Sequence, residues 1–283
     1  MTHFAIAGLQ LDLASSDNLE LVVEKTNSAL ARFPWVQMVL ISELAVCGSG
    51  LSNAEALPSN TEKTLCDLAK KHGIWLVPGT IYEKSGGCIF NTAPVINPKG
   101  DVVVRARKMY PFYPYEKDVE PGDSVCVFEV PNVGRFGLSI CYDIWFPEHS
   151  RAMINEGAEV ILRPTLTNTQ DRDIEMSIAR ATAVQNQCYV LDVNGAGAQA
   201  WGQSIFVGPE GDVVHTASRN EEIMLIEIDF ARIRRTRERG IMGLGQPLKS
   251  YRDTAQKLAP DSPASNSEYL NALGPLHVPK RGE

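Results

Sequence analysis

The chain has 283 residues, 44% of them hydrophobic and 22% charged, which leaves room for one large α/β domain or two small ones and excludes a disordered chain. A formal net charge of −7 gives no electrostatic reason to expect nucleic acid or an anionic membrane as a partner. No apolar run approaches the roughly 20 residues of a membrane helix, and the opening "MTHFAIAGLQLDL" lacks the basic start and long apolar core of a secretory signal. The only dense basic stretch, "RIRRTRERG" from Arg232 to Gly240, is short, isolated and interrupted by Glu238, so it reads as an exposed helix face. Six cysteines, at 47, 66, 88, 126, 141 and 188, stand singly, with no paired spacing and no nearby histidines. They read as reduced thiols of a cytoplasmic protein, and neither a metal nor an organic cofactor is expected.

Taken in chain order, "HFAIAGLQL" opens as a strand and "NLELVVEKTNSALARF" follows at helical spacing, with Asp17 or Asn18 as its cap. "VQMVLISEL" is a buried strand, and "NTEKTLCDLAKKHG" a second helix closed by Gly73. "IWLVPGTIYEK" and "IFNTAPVINPKGDVVVRARK" read as successive strands, the second folded at its Asn-Pro-Lys-Gly turn. Beyond the loop "MYPFYPYEKDVEPGD", strands "SVCVFEV" and "GRFGLSI" precede the helix "FPEHSRAMINEGA" and the strand "EVILRP". The helix "DIEMSIARATAVQNQ" then leads to strands "CYVLDVNGAG", "WGQSIFVGP", "DVVHTAS" and "EIMLIEIDF". This is a mixed α/β chain with helices outside its sheets, and one domain over residues 1–245 is the economical division. Residues 246–283 are richer in Pro, Ser and Asn and read as a tail with little core of its own.

In such folds reactive groups collect where a strand ends and its loop leaves the core. Glu43 ends "MVLIS", Lys108 ends "VVVRAR" and Cys141 ends "FGLSI". Alone, each has a plain reading: a solvated loop charge for the first two, a core residue for the cysteine. Together they supply a thiol, a base to deprotonate it and a cation for the oxyanion, without a histidine. Pro147 can start a helix just after Cys141, and the dipole of that helix is expected to favour a thiolate.

"LISEL" around Glu43, "RARKMYPFYPYEKDVEPGD" around Lys108 and "GLSICYDIWFPE" around Cys141 resemble the three signatures of the nitrilase, or carbon–nitrogen hydrolase, superfamily. Their spacing, 65 and then 33 residues, is similar to the family's, and the likeness runs on through "AEVILRPT", "ARATAVQNQCYVLDVNGAG" and "WGQSIFVGPEGDVV". The resemblance implies a four-layer α-β-β-α sandwich that pairs into a homodimer or a higher homo-oligomer, with the tail at a subunit interface. It implies catalytic Glu43, Lys108 and Cys141, and a second glutamate, Glu116 in "PYEK", that shapes the site.

The expected reaction is attack of Cys141 on a small linear amide, with Glu43 moving the proton and Lys108 and the Tyr142 backbone N–H holding the oxyanion. Ammonia or an amine leaves, and water releases the acid from a Cys141 thioester. Tyr115 and Trp145 flank these positions and, with Tyr142, are the expected substrate contacts, within an aromatic rim of Tyr110, Phe112 and Tyr113. Cys-Tyr-Asp after the strand resembles amidases and carbamoylases more than nitrilases, and hydrolysis of N-carbamoyl amines or amino acids, a nitrilase activity and a catalytically idle oligomeric scaffold are the alternatives. Asp143 is expected to brace the turn, and His149 is a weaker candidate for activating the thiol. Arg163 is expected either to meet a substrate carboxylate or to pair with Glu148 or Asp143.

Overall fold

The computed structural model describes residues 3–253, and two sheets organise them. With strands numbered along the chain, the first holds β1 (His3–Gln10), β2 (Met38–Ile41), β3 (Trp75–Val77), β4 (Ile81–Ser85), β5 (Cys88–Ile96), β6 (Val102–Arg107) and β13 (Glu222–Asp229). Their order is β13-β1-β2-β3-β5-β4, with β6 hydrogen-bonded to β5. The second holds β7 (Cys126–Val130), β8 (Gly134–Leu138), β9 (Val160–Thr165), β10 (Tyr189–Asn194), β11 (Ile205–Val207) and β12 (Val213–Thr216), in the order β12-β11-β10-β9-β8-β7. In each sheet three central strands are parallel, β1-β2-β3 and β8-β9-β10.

Strand alternation sorts the core into three layers. Ile6 and Leu40 of the first sheet meet Leu138, Leu162, Leu191 and Phe206 of the second. Their neighbours Ala7, Val39 and Ile41 point the other way, onto α1 (Leu19–Arg32) and α2 (Asn60–His72) through Val22, Ala29, Leu65 and Leu68. On the far side, Ile161, Val190 and Val207 meet Met153 of α4 (Pro147–Asn155) and Ala179 and Ala183 of α5 (Asp171–Asn186). Sheets apolar on both faces must be covered on both, which produces the α-β-β-α order expected above. Truncating a fully buried bridge such as Leu40 to alanine would cost about 2–5 kcal/mol.

Several local expectations are refined. Ahead of α1 the Asp17 carboxylate accepts the Leu19 N–H, while Asn18 turns back to bond the backbone of Ala14 and Ser16. Gly73 ends α2 in the left-handed region, as read. "IWLVPGTIYEK" breaks into β3 and β4 at Pro78-Gly79. The basic stretch forms α6 (Phe230–Arg239), and its arginines are tethers as well as surface: Arg232 pairs with Glu210 and Asp212, and Arg234 with Glu159. Arg237 donates to the Gln187 and Ala158 carbonyls. The start of the tail is a short helix, α7 (Pro247–Asp253), where Leu248 packs on the α4–α5 layer and Arg151 lies over the Tyr251 ring. The remainder of the tail lies outside the described residues.

The fold brings the carboxyl ends of β2 and β9 together between the sheets, where the Glu43 N–H donates to the Thr165 carbonyl at 3.2 Å. No helix among the described residues is long and apolar enough to cross a membrane.

Candidate active site

Loops leaving the ends of β2, β6, β8, β9 and β10 converge on one cleft. Glu43 lies two residues past the end of β2, and the next residue, Leu44, takes φ 51° with its N–H bonded to the Thr80 hydroxyl. Gly79 (φ 85°) makes this possible, because a Cβ there would stand 1.8 Å from the Ser42 carbonyl oxygen. Lys108 directly follows β6, where its backbone pairs with Asn91 and Gly122. Gly122 of "EPGD" is required, since a Cβ would lie 2.5 Å from the Arg107 carbonyl oxygen. Glu116 comes from a one-turn helix, α3 (Tyr113–Glu116), which puts its carboxylate 2.7 Å from the Phe112 N–H.

The Lys108 Nζ lies 2.8 Å from Glu43 Oε1 and 2.7 Å from Glu116 Oε2, and all three side chains are buried. The Asn91 amide nitrogen donates to both carboxylates as well, at 2.8 and 2.7 Å. Burial disfavours the Lys108 charge, but the flanking carboxylates outweigh it and hold the ammonium charged. Burial also opposes ionisation of Glu116, yet Lys108 and the donors from Phe112 and Asn91 hold it below the usual carboxylate range. Glu43 goes the other way: burial, with the Glu116 charge added, outweighs Lys108 and raises it. One carboxylate is therefore kept ionised and its neighbour is kept ready to take a proton.

Cys141 opens a short 3-10 turn, Cys141–Trp145, with φ 45°, a strained position for a side chain that is not glycine. Phe146, extended, separates that turn from α4. The expected thiolate at a helix start is thus corrected: burial first, then the Glu43 charge, pushes the thiol well above its ordinary value. As the second residue of a helical turn, Tyr142 has an N–H without an intrahelical acceptor. Asp143 braces the turn as expected, accepting the Ile140 and Tyr110 N–H groups at 3.0 and 2.9 Å. His149 is buried behind it, 3.8 Å from Asp143, and burial lowers its pKa to about 4, so it remains neutral.

Arg163 meets neither a free cleft wall nor Glu148 or Asp143. It is fully buried, pairs with Asp192 and Glu175, and donates from Nε to the Cys141 carbonyl at 2.9 Å. Arg172 closes this second cluster on the same two acids. Between the clusters stands Thr167, whose hydroxyl donates to Glu175 at 2.9 Å and lies 3.9 Å from the Cys141 sulfur. Sequence reasoning missed Asn91, Thr167, Arg172, Glu175 and Asp192.

Cys141 borders two connected spaces. A cleft of about 300 Å³ contains Glu43, Lys108, Glu116, Phe112 and Tyr115, and a side chamber of about 50 Å³ is walled by Tyr142, Trp145, Thr167 and Glu175. Tyr115 lines both and is 68% exposed, and the Trp145 Nε1 lies 3.4 Å from Glu175. Tyr110 is not part of the rim: its ring stacks on Phe146 at 3.6 Å.

A family model described as carbon–nitrogen hydrolase matches residues 4–238. The chain belongs to the carbon–nitrogen hydrolase family. Omega-amidase NIT2 of Danio rerio is 30% identical over 251 residues, 81% of this chain and 90% of its own. Omega-amidase NIT2-A of Xenopus laevis is 32% identical over 200 residues, 65% and 72% of the two chains. Among solved structures, Nit3 of Saccharomyces cerevisiae, a member of branch 10 of the nitrilase superfamily, has a TM-score of 0.78 at 29% identity, covering 84% of this chain and 94% of that one. A mutant amidase from Nesterenkonia sp. AN1 that shows covalent addition of the acetamide moiety of fluoroacetamide at its active site cysteine shares the fold. Its TM-score is 0.73 at 24% identity, over 82% of this chain and 93% of that one. This carbon–nitrogen hydrolase is an amidohydrolase acting on non-peptide carbon–nitrogen bonds, with the sandwich fold of its superfamily.

Proposed function

We propose that this site hydrolyses a small linear amide through a thioester on Cys141. The observation that carries the assignment is the pair of contacts made by Lys108, 2.8 Å from Glu43 and 2.7 Å from Glu116, beside a strained buried thiol. A thiol held neutral needs a base at the moment of attack, and Glu43, raised towards proton affinity, is the group to receive its proton. The carbonyl oxygen turns towards the Lys108 ammonium and the Tyr142 N–H, the donors for the negative charge that develops there. Glu43 returns the proton to the departing nitrogen, ammonia or an amine leaves, and water deprotonated by Glu43 cleaves the thioester. Glu116 and Asn91 hold Lys108 and Glu43 in place, and Tyr115, Tyr142 and Trp145 line the space for the amide. The adduct on the active site cysteine of the Nesterenkonia amidase supports the same role for Cys141.

The supporting experiment measures ammonia from a panel of aliphatic amides, carbamoyl amines and nitriles, with Cys141→Ala alongside. Ammonia that survives in the variant, or an acyl adduct on another cysteine, removes Cys141 as the nucleophile. We also propose a cytoplasmic homo-oligomer, which is supported by the six unpaired cysteines and by Met242 and Leu244, 78% and 81% exposed on one loop. A sedimentation mass near 31.1 kDa would contradict the oligomer.

A further inference from the structure

The two groups assigned to the oxyanion reach it from different sheets. Lys108 follows β6 of the first sheet, and the Tyr142 N–H belongs to the turn that follows β8 of the second. Along the chain, α3 and the β7–β8 hairpin lie between them. Lys108 is held by Glu43 and Glu116 at its ammonium and by Asn91 and Gly122 at its backbone. None of these partners belongs to the nucleophile turn. Asp143 supplies the link. Its side chain is 1% exposed and places one oxygen on each segment. Oδ1 accepts the N–H of Tyr110, two residues past Lys108, at 2.9 Å, and Oδ2 accepts the N–H of Ile140, the residue before Cys141, at 3.0 Å. The turn itself carries this side chain, because the Asp143 N–H donates to the Ile140 carbonyl and the Asp143 carbonyl accepts from Phe146. Two ring contacts join the same segments: Tyr110 stacks on Phe146 with centroids 3.6 Å apart, and Phe112 lies 5.1 Å from Tyr142.

We propose that Asp143 is a positioning residue for the reaction: it sets the spacing between the Lys108 ammonium and the Tyr142 N–H, so that both reach the same carbonyl oxygen. The inference rests on the reading of Cys141 as the nucleophile and of those two groups as oxyanion donors, and it adds the element that registers one donor against the other. Turning the Asp143 side chain away would leave the Tyr110 and Ile140 N–H groups without an acceptor, so the link resists rearrangement. Charge gathers on the substrate oxygen only as the tetrahedral intermediate forms. A lost register therefore raises the barrier and leaves substrate binding nearly as it was. The thiol proton is served from another side. Glu43 takes it, and the carboxylate of Glu43 is held by Lys108 and Asn91, not by Asp143.

The test compares two rates at one sulfur in the full-length protein. Asp143→Asn keeps the size of the side chain but has a single acceptor oxygen, so either the Tyr110 or the Ile140 N–H is left facing an amide NH2. On the amide that the parent hydrolyses fastest, kcat per folded molecule should fall about 10²-fold, as for a displacement of about 1 Å at the reacting atoms. KM should stay within about threefold of the parent. Alkylation of Cys141 by iodoacetamide is the second rate: sulfur displaces iodide at the methylene carbon, the thiol proton passes to Glu43, and no oxyanion forms. That rate should also stay within about threefold of the parent. A residue that only stabilised the fold would change the folded fraction and leave the ratio of the two rates alone. Phe146→Leu removes the stacking partner of Tyr110 and leaves Asp143 in place, and it should give the same split with kcat down about fivefold. If Asp143→Asn does not fold, Phe146→Leu decides by the same two rates. A kcat within about threefold of the parent in Asp143→Asn, or alkylation that falls as far as kcat in either variant, overturns the proposal. A parent that releases no ammonia, or a Cys141→Ala variant that still does, removes the underlying reading of the site and the proposal with it.

Discussion

Two buried ion clusters flank the same sulfur, and they are built for different ends. In front of Cys141, Lys108 serves two carboxylates, so one acid is in excess and its proton affinity is raised, and the cluster opens onto the cleft. Behind it, Arg163 and Arg172 are matched by Asp192 and Glu175, with side chains 0–4% exposed. Charge imbalance leaves a group free to change its protonation during a reaction. Charge balance gives a rigid block, and here that block grips the Cys141 carbonyl and holds the backbone at φ 45°. The difference teaches that burial and ion pairing alone do not mark a catalytic group. An unmatched charge facing a space large enough for substrate does.

Breaking each cluster should therefore produce opposite phenotypes. Glu43→Gln keeps the size of the side chain and its contacts to Lys108 but cannot accept a proton. We expect ammonia release to fall by about 10³-fold or more, with the denaturation midpoint little changed. Arg163→Met should do the reverse. It leaves Asp192 and Glu175 with one cation between them, which should cost about 3–5 kcal/mol of stability in a denaturant titration. Activity per folded molecule should fall far less than in Glu43→Gln. If Arg163→Met folds as well as the parent and is inactive, the division between chemistry and scaffold is wrong.

Much of the front cluster was legible in the sequence, and little of the rear one. Glu43, Lys108 and Cys141 each stand where a strand run ends, a pattern that survives without knowing which strands are neighbours. Arg163 and Asp192 are partners because β9 and β10 pair in a register that puts them side by side, which no local pattern encodes. Arg172 and Glu175 fall on one helical stripe with Ala179 and Ala183, the buried face of α5, where periodicity assigns charged residues to solvent. Asn91 is a poor strand former in the middle of β5, a faint signal whose meaning depends on both glutamates arriving from elsewhere. The four layers were legible because apolar alternation within the strands is what places them. The thiolate expectation failed because a helix dipole was weighed without the burial of the sulfur.

A smaller effect separates Asp143 and His149, adjacent behind the nucleophile turn. Burial raises Asp143 to about 7 and lowers His149 to about 4. A folded His149 that binds protons more weakly than the unfolded chain loses stability as pH falls from about 6.5 to about 4. Asp143, which binds its proton more tightly when folded, loses stability as pH rises from about 4 to about 7. The two slopes oppose one another over the same interval. In His149→Asn the histidine slope, about 3 kcal/mol across the interval, should vanish. Denaturation midpoints would then decline more steeply from pH 4 to 7 than those of the parent, and an unchanged profile would remove His149 from the account.

The smallest predicted effect lies at a side chain placed between the two clusters. Thr167 donates to Glu175 of the rear cluster and stands 3.9 Å from the sulfur served by the front one. Thr167→Val preserves the shape and removes that bridge. Glu175 keeps Arg163 and Arg172 after the change, so the loss should be about 1 kcal/mol in stability. If the clusters act separately, kcat should stay within about tenfold of the parent, since Glu43 still takes the thiol proton. A fall as deep as that of Glu43→Gln would mean that the hydroxyl passes the influence of the balanced cluster to the sulfur, and the two clusters would have to be treated as one.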